Sequence, residues 1–118
     1  MSKLKIFILD QEWTIEKVPP HDSNLYVSNE VCTGTMWAAK QAMYISGELS
    51  SERAWRTILH ELCHAYIAAT QAVVPEEWSE EAVCELIAIY GYEMVEKARS
   101  IHESFYGGSN NEQGDTGI

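Results

Sequence analysis

Leu4–Leu9 (LKIFIL) is rich in aliphatic and aromatic side chains, and Trp13–Val18 (WTIEKV) alternates apolar with polar positions. Both patterns fit strands, whose successive side chains point to opposite faces. Asp10-Gln11-Glu12 lies between them as a turn, so the segment predicts a β-hairpin. Pro19-Pro20-His21-Asp22-Ser23-Asn24 reads as a loop, because consecutive prolines cannot continue a hydrogen-bonded ladder. A less regular β region follows from Val31 to Trp37 and again from Ala42 to Ser46, with Gly34 and Gly47 as punctuation.

The pattern then changes period. Ser50-Ser51-Glu52 supplies a capping serine and an acid in the first turn, and an uninterrupted helical run extends from Arg53 to about Thr70. Pro75 closes the connection. Ser79 opens a second helix: Glu80 and Glu81 complement the helix dipole, and Trp78 and Val83 form a hydrophobic staple. That helix is expected to run to about Phe105, since Gly91 need not break it. Gly107–Ile118 (GGSNNEQGDTGI) holds nothing a core could retain and reads as a disordered tail. The expectation is therefore one α+β domain over residues 1–106, a small, mainly antiparallel sheet packed on two long helices.

The first helix carries His60-Glu61-Leu62-Cys63-His64, an HExxH motif. Positions four apart on a helix differ by about 40° and about 6 Å of rise, which aims both imidazoles at one metal ion. Glu61 need not ligate; beside a metal-bound water its carboxylate can act as general base. Zinc suits this donor set, because it takes nitrogen and oxygen ligands tetrahedrally and acidifies its water toward neutral pH. Two histidines do not complete such a site, so a third donor belongs on another element. Fifteen to twenty-one residues after His64 the chain offers Ser79-Glu80-Glu81-Ala82-Val83-Cys84-Glu85, and Glu77, Glu80, Glu81 and Glu85 are the candidate donors.

Composition narrows the partners. Eight Lys+Arg stand against eighteen Asp+Glu, a formal charge of −10 in 118 residues. Without a basic stripe, nucleic acid and anionic membrane surfaces are excluded as expected partners. No stretch approaches the roughly 18 apolar residues of a membrane span. Cys32, Cys63 and Cys84 are odd in number and form no CxxC, so free thiols and a cytoplasmic location are expected.

HExxH followed by a glutamate in the first turn of a second helix, with an acid four residues on, resembles the gluzincin arrangement of thermolysin-like metallopeptidases. Against the family's Asn-Glu-x-x-Ser-Asp pattern, Glu80 stands in place of the asparagine, Glu81 falls on the ligand glutamate, Cys84 on the serine and Glu85 on the aspartate. The resemblance implies Glu81 as third zinc ligand and Glu85 as the acceptor that orients the N–H of His60. A strand (AMYIS), a linker, Thr57–Ala65 (TILHELCHA) and an acid-rich second helix are also similar to short cytosolic proteins of the ImmA/IrrE and related phage type. That likeness spans roughly Gly34 to Tyr92. It implies hydrolysis of a peptide or protein substrate, with the strand before the HExxH helix bordering the cleft and offering it a free edge.

Other residues carry blander expectations. Cys63 and Cys84 read as small core fillers, and Trp37, Trp55, Trp78, Tyr90 and Tyr92 as mostly core. For stabilising an oxyanion, His102 is too far along the second helix and Tyr66 faces away from the metal, which leaves His21, Tyr26, Tyr44 or Tyr106. A competing function is a zinc-stabilised, non-catalytic or latent regulatory module.

Overall fold

The computed structural model describes residues 2–70 and 80–107. Strand β1 (Lys3–Ile8) pairs antiparallel with β2 (Gln11–Val18), in register from Lys3 opposite Glu16 to Ile8 opposite Gln11. The turn is Leu9-Asp10 alone, with φ of 50° and 73°; Gln11 and Glu12, expected in the turn, already belong to β2. A two-residue loop with positive φ at both positions matches the right-handed twist of the strands, which is why the tighter turn wins. The same device recurs where β3 (Tyr26–Val27) and β4 (Glu30–Val31) are joined by Ser28-Asn29, at φ 51° and 67°.

The main sheet has four strands in the order β1-β2-β6-β5, with β5 spanning Gly34–Trp37 and β6 Ala42–Ser46. Both hairpin pairs are antiparallel, whereas the central pair, β2 with β6, is parallel from Thr14 opposite Ala42 to Val18 opposite Ser46. After β2 the chain passes through the loop and the small hairpin, returns as β5 at the far edge, and turns back into the remaining slot. That detour makes β6 run with β2. Its burial follows: Ala42, Met43, Ile45 and Ser46 are all buried, as a central strand requires. Gly34 opens β5 rather than interrupting the region.

Helix α1 (Ser51–Ala69) is capped by Ser50, whose Oγ accepts from the backbone N–H of Arg53 at 3.3 Å. Ala54, Ile58, Leu62 and Ala65 form its buried stripe and pack with Ile8, Trp13, Ile15, Met43 and Ile45 of the sheet. Burying Ile58 or Leu62 contributes roughly 1.5–3 kcal/mol each. Helix α2 (Glu80–His102) buries Leu86, Met94, Ala98 and Ile101, and a π-helical turn, Glu103–Gly107, seats Phe105 in the same core. The helices run antiparallel: His102 Nε2 donates to the carbonyl of Ser51 at 2.8 Å, and the Tyr66 hydroxyl donates to Glu93 Oε2 at 2.6 Å. Gly91 lies inside α2 without ending it.

Tyr92 departs from the core expectation at 81% exposed. It sits two residues from half-buried Tyr90, about 200° round the helix, so both cannot face α1. Cys84 is likewise exposed, whereas Cys63 is half-buried. Trp37 and Trp55 are half-buried. Pro75, the candidate donor Glu77, Trp78, Ser79 and the tail beyond Gly107 lie outside the described residues. Among the described residues no helix is long and apolar enough to cross a membrane.

Candidate metal and catalytic centre

Helix α1 carries the motif so that its residues divide between solvent and sheet. His60 and His64 are exposed, while Glu61, one step of about 100° away, is turned inward and only 6% exposed. The two rings meet edge to face with centroids 4.9 Å apart. Partial desolvation of its ring first, and the neighbouring His60 second, hold the His64 imidazole below the usual histidine range. A neutral ring keeps a lone pair for a metal.

Glu61 is held against β5 by the lack of a side chain at Gly34. A Cβ there would lie 2.6 Å from Cγ2 of Thr57 and 3.1 Å from Cγ of Glu61, so the helix approaches this strand closely because the position is glycine. Among the described residues no donor pairs with the Glu61 carboxylate, and burial raises its pKa from 4.5 to about 7. A carboxyl poised there exchanges a proton near neutrality, as a general base must.

Three cavities converge on His60. One of about 650 Å³ is lined by Gly34, Arg53, Arg56, Thr57, His60 and Glu61, together with Cys32 and Thr33. A second, of about 270 Å³, joins Glu61 and His64 to Val27 and Met36. The third lies between the helices and is apolar, with Trp55, Leu59, Ile87, Tyr92 and Val95 on its walls.

The two imidazoles and the unpaired carboxylate suit a zinc ion and its water. Among the described residues, no group of three or more His, Cys, Asp or Glu side chains is placed to hold a metal. Glu81 and Glu85 are exposed on the first turns of α2. Gly91 shares a cavity with Cys63, and Glu81 lies ten residues, about 15 Å, further along the axis of α2. The structure thus brings together His60, Glu61 and His64 and leaves Glu81 and Glu85 apart from them.

Other expected neighbours of the site are engaged elsewhere. His21 Nδ1 and the Tyr26 hydroxyl lie 3.1 Å apart, Tyr44 lies under the Lys40 ammonium, and Tyr106 stacks on His102. None lines the three cavities. The strand with a free edge beside α1 is β5, not Ala42–Ser46, because β6 is paired on both sides. Arg53 and Arg56 are the site residues that pattern reading passed over. Steps of four connect Arg53, Thr57 and Glu61 in one row of α1 and Arg56, His60 and His64 in the next, a spacing visible in the sequence. No family model, curated protein or solved structure matches this chain.

Proposed function

We propose that this chain is a zinc-dependent metallopeptidase, with His60 and His64 as metal donors and Glu61 as general base. The observation that carries this reading is a buried carboxylate, with no donor among the described residues, that lines one cavity with the touching imidazoles of His60 and His64 and a second, of about 650 Å³, with His60. Bound zinc would supply a Lewis acid and a water acidified toward neutral pH. Glu61 takes the proton of the attacking water and passes it to the leaving amine. His60 and His64 would hold the ion, and Gly34 keeps the Glu61 carboxylate close to β5. Glu81 as third donor, and Glu85 as the partner of the His60 N–H, rest on the gluzincin resemblance and not on their positions in α2. The substrate is a peptide or protein segment, and three free thiols suit a cytoplasmic setting.

Two measurements test this. Metal analysis should find zinc in the wild type and in Glu61→Gln, and lose it in His60→Ala; Glu81→Gln and Glu77→Gln identify the third donor by their zinc affinity. Cleavage of a mixed peptide library should fall by about 10²–10⁴-fold in Glu61→Gln with zinc retained. Unchanged cleavage overturns the mechanism, and zinc closed by four protein donors replaces it with a structural role.

A further inference from the structure

The cavity beside Gly34 contains positive charge that the proposed hydrolysis does not use. The chain has eight Lys+Arg against eighteen Asp+Glu, yet two of its arginines, Arg53 and Arg56, border the same cavity as His60 and Glu61. Among the described residues the ion pairs are Lys5 with Glu12, Lys97 with Glu93 and Arg99 with Glu96, so neither cavity guanidinium is neutralised by a carboxylate. In a protein with this acidic excess, two guanidiniums at one cavity with no carboxylate partner among the described residues are a local reversal of sign. Fields of that kind focus anions into a cleft.

The row geometry sets the distance. Arg56 stands one turn before His60 and Arg53 two turns before Glu61, about 6 Å and about 12 Å along the axis. An extended peptide rises about 3.4 Å per residue, so an anionic group bound there lies within about three residues of the attacked bond. Guanidinium presents its N–H groups as a planar fork that matches a carboxylate in two parallel hydrogen bonds. Thr57, between Arg53 and Glu61 in the same row, lines that wall.

We propose that Arg53 and Arg56 form a carboxylate-binding subsite, which selects peptides bearing an acidic side chain or a free C-terminus within about three residues of the scissile bond. The claim deepens the metallopeptidase reading and rests on it for the position of that bond.

Binding to the zinc-loaded Glu61→Gln chain tests it without turnover. Fluorescein-labelled hexapeptide pools are compared by anisotropy: Glu at a fixed central position with an amidated C-terminus, Gln at that position with an amidated C-terminus, and Gln with a free C-terminus. At least one anionic pool should bind about tenfold or more tightly than the neutral pool, and which one does so identifies the side chain or the terminus as the source. Adding Arg53→Gln and Arg56→Gln should bring all pools within about twofold; both residues are exposed, and circular dichroism checks that the fold is kept. Equal affinities, or a preference that survives the double replacement, overturn the subsite. Wild-type chain incubated with the same pools separates the two claims. Charge-selective binding without any cleavage overturns the peptidase and leaves the subsite, whereas cleavage without selectivity does the reverse.

Discussion

Glu61 is in conflict with its surroundings when no metal is bound, and Glu61→Gln measures that conflict. The carboxyl is buried, faces Gly34 and Thr57, and receives no hydrogen bond among the described residues; its pKa is raised from 4.5 to about 7. In the unfolded chain it ionises near 4.5. Between those values the folded state holds a proton that the unfolded state has released, so the Glu61 contribution to stability is greatest below about pH 4.5, falls as pH rises and levels off above about 7. At about 1.36 kcal/mol per pH unit the loss is at most roughly 3.4 kcal/mol. The cavity opens to solvent, which screens the charge and lowers this to about 2 kcal/mol. Gln keeps the shape and cannot ionise. Urea unfolding in chelator, followed by the fluorescence of buried Trp13, should therefore find Glu61→Gln about 2 kcal/mol more stable than wild type at pH 8. At pH 4.5 the two should agree within about 0.5 kcal/mol. Equal stability at pH 8, or a difference independent of pH, would refute the reasoning. A gain in stability coupled to a loss of turnover is the mark of a strained catalytic group.

Other substitutions probe the supports of the site. Gly34→Ala forces a methyl against Thr57 and Glu61, so it should cost about 1–3 kcal/mol in unfolding free energy and reduce cleavage disproportionately, because the carboxylate is displaced. Tyr66→Phe deletes the hydroxyl that joins α1 to Glu93 of α2 and should lower stability by about 1–2 kcal/mol in chemical denaturation, with zinc content unchanged. Leu9→Asn should stabilise the first hairpin by about 0.5–1 kcal/mol in thermal unfolding, because φ of 50° suits Asn better than Leu. Leu62→Ala, inside the motif but facing the sheet, should cost about 2–5 kcal/mol as a cavity in the core.

What was legible in the sequence is what depends on local period and local chemistry. Ser50 caps α1 because a serine oxygen reaches an N–H three residues on, and the spacing of His60 and His64 alone brings their rings together. Aliphatic and aromatic composition gave β1, alternation gave β2 from Trp13 on, and the less regular stretch closed by Gly47 gave β6. Beyond a hairpin, nothing local encodes which strands become neighbours. The parallel pairing of β2 with β6 follows from a long connection returning at the far edge, and it transfers the free edge from Ala42–Ser46 to Gly34–Trp37. Tertiary packing likewise turned Gly34 from a chain-breaking signal into the gap that admits Glu61, and gave that carboxyl its raised pKa through burial. The register of α2 on α1, fixed by Tyr66, Glu93, His102 and Ser51, decided how far Glu81 lies from the histidines. Helical spacing alone, by contrast, put Arg53 and Arg56 in the rows of Glu61 and His60; the cavity that gives those charges a common target exists only once β5 lies beside α1.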